Sequence, residues 1–265
     1  MKISDLVELE KSFGHIVFSE KDHSYLIKDN KSKGSVTQII KKYVQPFEKE
    51  KLAKITAAKQ GVTIEDILEL WDFKREYACH KGTMLHSYIE TFLQRKKSPL
   101  NKDSIENFVS KYADYTTTDT YYKDMARYIS NFQKFYDWWK ESHVLIKSEL
   151  VVGDVETGIC GCIDNLSYDF KNQQIVLFDY KSNKEIKTKG RNKMLGKLSH
   201  LDDCELVIYS LQLWIYSLIL KRNSPFEIQQ TPQILWLSGD RYELYPILPL
   251  EEEAKLILSE TLLLG

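Results

Sequence analysis

Apolar and polar positions in the first half of the chain fall mostly at helical spacing. His15–Val17–Ser19 and Ser24–Leu26–Lys28 flank a polar Glu20–His23 segment, which predicts a short N-terminal hairpin. Ser35-Val-Thr-Gln38 has the form of a capping box and opens a short helix carrying Ile39 and Ile40. Helical patterns continue over Lys51–Gln60 and Thr63–Trp71, broken by Gly61, and over Phe73–Gln94, where Ala78, Leu85, Ile89 and Phe92 share a stripe. Met125, Tyr128, Ile129, Phe132, Phe135, Tyr136 and Trp139 recur at steps of three and four. That spacing is what a buried helix face demands, so the aromatic stripe reads as core rather than as a platform for bases.

The texture changes near Val144. Leu145–Val152, Gly158–Tyr168 and Gln174–Lys181 alternate or run apolar over strand lengths, a helix returns at Cys204–Lys221, strands follow at Gln233–Leu237 and Glu243–Leu248, and a last helix starts at Leu250. Helices before and after a central set of strands predict one α/β domain over residues 1–265, a central mixed sheet flanked by helices. The hairpin and first helices occupy 1–143, and the sheet with its flanking helices 144–265. No internal repeat or low-complexity segment is present.

Composition narrows the picture. Charged residues at 28% and apolar ones at 43% are ordinary for a globular chain, so neither disorder nor a fibre is expected. With 37 Lys and Arg against 38 Asp and Glu, only a local basic concentration argues for a polyanion. Cys79, Cys160, Cys162 and Cys204 lack zinc-site spacing and read as reduced thiols. The uncharged run Leu206–Leu220 is short of the ~20 residues that cross a bilayer. No apolar leader is visible, and a soluble cytoplasmic protein without a membrane partner is expected.

Chemistry concentrates in Gly161-Cys-Ile-Asp164 and Asp179-Tyr-Lys181. On a strand Asp179 and Lys181 share a face with Ile175 and Leu177 behind them. If the two strands form a hairpin with Lys171 and Asn172 at its tip, Asp164 stands opposite Asp179. Facing carboxylates ~5 Å apart repel. A protonated Asp, a slipped register or a divalent cation would each relieve that, and Lys181 could then hold or deprotonate a metal-activated water. His86 and Glu90 share a helix face, either as a core histidine bonded to Glu90 or as a further ligand with Glu90 orienting it. Gly82 within that helix hints at a close backbone approach. Lys184, Lys187, Lys189, Arg191, Lys193 and Lys197 face one acid of their own segment, Glu185, and suit a nucleic-acid backbone. Tyr209, Gln212 and Tyr216 share a stripe of the next helix, while Leu211, Trp214, Ile215 and Leu218 supply its buried face.

In order, Gly82-Thr-x-x-His86-x-x-Ile-Glu90, Gly161-x-x-Asp164, Asp179-Tyr-Lys181 and Gln212-Leu-x-x-Tyr216 resemble the PD-(D/E)XK nuclease superfamily, in its RecB-like exonuclease branch with phage-encoded members. His23-x-Tyr25 and Ser35-Val-Thr37 look like the phage-type members, so the resemblance covers roughly residues 15–220. It implies a restriction-endonuclease-like core and a Mg²⁺- or Mn²⁺-dependent DNA exonuclease, with DNA bearing a free end or a single strand as substrate. His86, Asp164, Asp179 and the Tyr180 carbonyl would be metal ligands and Lys181 the catalytic lysine. Gln212 and Tyr216 would lie near the site and touch nucleic acid, as would Lys187, Lys189, Arg191 and Lys193, with Glu90 and Glu149 in support. Ile163 stands where the superfamily's name has Pro. No cysteine lies beyond Cys204, so no iron–sulfur cluster is expected. A non-catalytic nucleic-acid-binding protein and a DNA endonuclease are the alternatives, the latter without a visible base-reading module.

Overall fold

The computed structural model describes residues 3–19, 24–96, 100–224 and 229–263. The polar turn Glu20–His23, and His23 with it, lies outside the described residues. A helix α1 (Ile3–Lys11) precedes the hairpin β1 (Ile16–Ser19) and β2 (Ser24–Ile27), to which the short β3 (Asn30–Lys31) adds. Next come β4 (Gly34–Ser35), α2 (Val36–Lys41), α3 (Lys49–Gln60), α4 (Ile64–Leu93), α5 (Lys102–Lys111) and α6 (Thr118–Trp139). The strands β5 (His143–Asp154), β6 (Ile159–Asp169) and β7 (Gln174–Lys181) lead to α7 (Glu205–Asn223), β8 (Gln230–Leu237), β9 (Tyr242–Pro246) and α8 (Glu251–Leu263).

The predicted capping box is present: Ser35 Oγ accepts from Gln38 N–H while Gln38 Oε1 accepts from Ser35 N–H. The two helical patterns expected at Thr63–Trp71 and Phe73–Gln94 are one helix of 30 residues. Its apolar stripe changes partner on the way. Ile67, Leu68 and Trp71 pack on Ala53 and Ala57 of α3, whereas Phe73, Tyr77, Leu85 and Ile89 join the core of α5 and α6.

The main sheet is mixed and flanked by helices. β5, β6 and β7 are antiparallel neighbours, β7 runs parallel to β8, and β9 closes antiparallel on β8. Side chains alternate along β7 as a strand requires. Ile175 and Leu177 face the core of α2, α7 and α8, and Val176, Phe178 and Tyr180 face that of α4, α5 and α6. α7 is buried almost all round, including Leu213, Ser217 and Ile219, so its core contacts exceed the stripe expected from sequence.

β6 carries the decisive irregularity. β5 pairs with one edge from His143 to Asp154, with a register shift between Leu145 and Lys147. The other edge is shared, with β4 at Ile159–Cys160 and β7 at Asn165–Asp169, leaving Gly161–Asp164 between them without a paired strand. α7 fills that opening: a Cβ on Gly161 would lie 2.7 Å from Tyr216 Oη. Gly161→Ala therefore forces Tyr216 and its helix outward, and is expected to destabilise the fold by about 1–3 kcal/mol. Chemical denaturation of the variant checks this. Gly82 is different. Its added Cβ would meet Ser182 Oγ at 3.5 Å, an ordinary contact, so the backbone approach expected there is not tight. Gly82→Ala should raise stability by about 1 kcal/mol through helix propensity alone, read in the same denaturation experiment.

Candidate metal centre

The hairpin register is the predicted one. Asn165 pairs with Phe178, Leu166 with Leu177 and Asp169 with Gln174, around a four-residue loop, Phe170–Gln173. The Asp169 carboxylate ties that loop by accepting from Lys171 N–H and Asn172 N–H at 2.9 and 3.0 Å. The ladder stops at Asn165, and Asp164 Oδ2 takes the Tyr180 N–H at 2.6 Å. Asp164 and Asp179 therefore sit at the mouth of a splayed hairpin, both buried.

A third carboxylate comes from β5. Glu149 lies across from Asp164, between the Ser148–Asn165 and Leu150–Ile163 pairs, with φ of 51°. That left-handed conformation is costly for a non-glycine residue inside a strand. Here it accompanies a Glu149 side chain that meets α4. His86 Nδ1 lies 3.6 Å from Glu149 Oε1 and 3.7 Å from Asp164 Oδ1. Its Nε2 lies 3.2 Å from the Tyr180 carbonyl oxygen, to which it donates when protonated. One ligand atom from each of His86, Glu149 and Asp164 falls within a 4.8 Å cluster able to hold a metal ion. Glu149, expected from sequence only in support of the site, thus belongs to the innermost group.

Glu90 does not orient His86. Its Oε1 accepts from Gln94 Nε2 at 2.9 Å one turn on, and the Tyr180 carbonyl occupies the position beside the His86 ring. Glu90 instead lines the cleft of about 800 Å³ that opens over His86, Glu149 and Cys162. Cys162 Sγ donates to Glu149 Oε2 at 3.2 Å.

Asp179 faces α7. Lys181 Nζ lies 2.6 Å from its Oδ2, and Gln212 Nε2 donates to its Oδ1 at 3.2 Å. The Lys181 contact is an ion pair out of hydrogen-bond alignment, so the buried Oδ2 has no aligned donor. On its other side the Lys181 ammonium lies 4.6 Å from the centre of the Tyr209 ring. Gln212 Nε2 also reaches Tyr216 Oη at 3.4 Å. The expected contact of Tyr216 with nucleic acid is corrected here: the residue is 4% exposed and packs on Gly161, so its ring offers no face to a base.

Electrostatics follow from this crowding. Burial, together with Asp164, raises the Asp179 carboxyl to about 6 despite the opposing pull of Lys181. Burial likewise raises Asp164, against the pull of His86. Burial acts to lower His86, but the Asp164 and Glu149 carboxylates outweigh it and hold the imidazole up at about 9. Lys181 is moved the same way: burial opposes its charge, Asp179 and Asp164 prevail, and it is raised. As it stands, Lys181 is an ammonium donor rather than a base. The Glu149 and Asp164 carboxylates with the His86 imidazole, the Tyr180 carbonyl beside them and the Asp179 carboxylate on the next strand form an oxygen-rich set that fits a hard divalent cation.

The basic segment after β7 is less cationic in space than in sequence. Lys187 pairs with Glu205 at 3.7 Å, Lys193 with Asp202 at 2.6 Å and Lys197 with Glu260 at 2.7 Å. Two of these acids lie just after the counted segment and the third on α8, so Glu185 is not the only opposing charge. Among the described residues Lys184, Lys189 and Arg191 make no ion pair. No helix among them is long and apolar enough to cross a membrane.

No protein-family model matches the chain, and a search of curated proteins found no match. Among solved structures, one described as "Putative exonuclease" from Eubacterium rectale is similar at a TM-score of 0.38 and 12% identity, covering 68% of this chain. The chain spans 64% of the length of that protein. A second, described as SSO0001, has a TM-score of 0.27 and 14% identity, covering 61% of this chain and 70% of its own. Values this low leave the architecture resting on the strand order and register above.

Proposed function

We propose that the chain is a divalent-metal-dependent DNA nuclease of the PD-(D/E)XK type, an exonuclease of the RecB-like branch, acting as one cytoplasmic domain in a bacterial or phage-infected cell. The observation that carries it is the cluster of His86, Glu149 and Asp164 from α4 and two adjacent strands, with Asp179 and Lys181 paired on the next strand. A protein that only binds nucleic acid has no use for buried carboxylates that oppose its ligand's charge.

His86, Glu149, Asp164, Asp179 and the Tyr180 carbonyl would hold Mg²⁺ or Mn²⁺. When bound, such an ion neutralises phosphate charge and lowers the pKa of water. The chain's own residues supply the rest. Lys181, charged and gripped by Asp179, presents an ammonium beside the carboxylates, where it can neutralise a phosphate oxygen and orient a water. Gln212 fixes the Asp179 carboxylate, and Tyr216 fixes Gln212 against Gly161. Asp164, by taking the Tyr180 N–H, holds the Tyr180 carbonyl where His86 meets it. Lys189 and Arg191 remain for phosphate contact, with Lys187 and Lys193 able to exchange their acid partners for phosphates.

The test is end-labelled linear DNA, single- and double-stranded, beside closed circular DNA, with Mg²⁺, Mn²⁺ or EDTA. Release of short labelled products from linear DNA only, dependent on the metal, is the expected result. Cleavage of the circle would make it an endonuclease, and no cleavage of any substrate would leave the binding reading.

A further inference from the structure

On the opposite flank of α4 from the His86 cleft lies a second recess, of about 480 Å³. Lys81, Tyr128, Asn183, Lys184 and Trp236 are among the residues that line it. Helical geometry explains the division: Thr83 and His86 point to one side of α4 and Lys81 to the other. The recess begins one residue after Lys181, at Ser182, and so adjoins the candidate metal centre along the chain.

Two of its polar groups are left over. Lys81 is 8% exposed as a residue, its stem buried and its ammonium open to the recess, and among the described residues that ammonium has no hydrogen bond and no ion pair. It lies 4.1 Å from the centre of the Tyr128 ring and 5.6 Å from that of Tyr77. The nearby acids are engaged elsewhere: Asp124 accepts from Tyr77 Oη at 2.8 Å, and Asp240 pairs with Arg127 at 2.6 Å. Arg241 is likewise taken by Glu243. The second group is Asn183 Oδ1, a buried acceptor with no donor, its amide orientation set by Asn183 Nδ2 donating to the Glu185 carbonyl. A buried polar atom is normally partnered, which Asn183 Oδ1 is not. An ammonium that meets only aromatic rings and a buried free acceptor, both lining one recess, suit a ligand with an anionic oxygen and an O–H or N–H close to it.

We infer that this recess is a subsite for a nucleic-acid phosphate and its attached nucleoside, with Lys81 at its floor, Lys184 at its rim and Asn183 Oδ1 accepting from sugar or base. It deepens the nuclease reading, on which it rests for the choice of ligand, by adding a strand contact beyond the metal centre. The phosphate is either internal to the strand or a terminal monoester, since both present the same anionic oxygens.

The experiment is binding of a labelled single-stranded oligonucleotide in EDTA over a salt series, with 5′-phosphorylated and 5′-hydroxyl forms. Wild type is compared with Lys81→Met, which keeps the stem over Tyr128, and with the exposed-site variant Lys184→Gln. Lys81→Met should weaken binding about tenfold or more at low salt and reduce the salt slope by about 0.7, the loss of one phosphate contact. Lys184→Gln should shift both in the same direction by less. Equal loss on both oligonucleotides identifies an internal phosphate, and loss confined to the phosphorylated one identifies a terminal phosphate. Wild-type affinity and slope in a folded Lys81→Met protein would overturn the inference. If Lys81→Met fails to fold, unchanged binding in both Lys184→Gln and Asn183→Ala does so. Cleavage with Mn²⁺ separates the two readings. Lys81-dependent binding without cleavage removes the nuclease and keeps the subsite, and cleavage with Lys81-independent binding does the reverse.

Discussion

Asp179→Asn is expected to lower DNA cleavage at saturating Mn²⁺ by roughly 10³-fold or more while leaving the fold intact, a loss of the size seen when a key electrostatic group leaves a reaction centre. The substitution is nearly isosteric, and an Asn oxygen can still accept from Gln212, so α7 keeps its seat. What disappears is charge. Lys181 loses the carboxylate 2.6 Å away that holds its ammonium in place, and the metal set loses the buried oxygen that has no aligned donor. Lys181→Ala approaches the same pair from the other side. It should lose comparable activity but retain metal binding, because the carboxylates, His86 and the Tyr180 carbonyl remain. Cleavage rates and far-ultraviolet circular dichroism of both purified variants decide the matter, and near-wild-type cleavage by a folded Asp179→Asn protein would remove the hairpin from the chemistry. A pH profile adds a check. With its carboxyl raised to about 6 by burial, Asp179 is increasingly protonated below that pH, so cleavage at limiting metal should fall off there.

How much of this was legible beforehand varies with the physics behind each element. The hairpin register could be read because two-residue and four-residue loops centred on Lys171 and Asn172 give the same cross-strand partners. The strand alternation that puts Asp179 and Lys181 on the α7 side followed from the period of two. Glu149 could be placed on its strand but not in the cluster, because its left-handed φ answers to the carboxylates and histidine around it rather than to a local motif. Continuity of α4 was hidden by the rotation of its apolar stripe from α3 to α6, although no Gly or Pro interrupts residues 67–77. The ten-residue α5 went unseen because Ile105, Phe108 and Val109 are too few to stand out from a polar background. The basic segment looked bare because its acids, Asp202, Glu205 and Glu260, sit later in the chain. Helical spacing puts Tyr216 on a stripe with Tyr209 and Gln212, apart from the apolar face, and the resemblance puts it near the site, but only the opening in β6 at Gly161 shows why it turns in.

Mn²⁺ is expected to raise the melting temperature, and by more as the pH rises from 6.5 toward about 8. The folded chain alone assembles Glu149, Asp164, Asp179 and His86, so binding stabilises it by about 2.7 kcal/mol at a hundred times the dissociation constant, or roughly 5–10 °C for a chain of this size. The pH dependence comes from two sides. In EDTA, the raised His86 pKa gives stability that is full below 6.5 and lost as pH rises through about 9. The raised Asp179 pKa acts in the same sense at lower pH, its contribution present below 3.8 and lost as pH rises through about 6. The metal-free protein therefore loses stability across both windows, as like charges accumulate at the mouth of the hairpin. With Mn²⁺ present the ion displaces the His86 proton, so apparent affinity climbs over the range where metal-free stability declines. Asp164→Asn and Glu149→Gln should each lose most of the metal-induced shift, and Asp164→Asn should melt above wild type in EDTA near pH 8 because one of the crowded carboxylates is gone. Thermal denaturation of the three proteins with and without Mn²⁺ across this pH range is the measurement. An equal shift in wild type and Asp164→Asn would mean that the ion stabilises the chain from some other site.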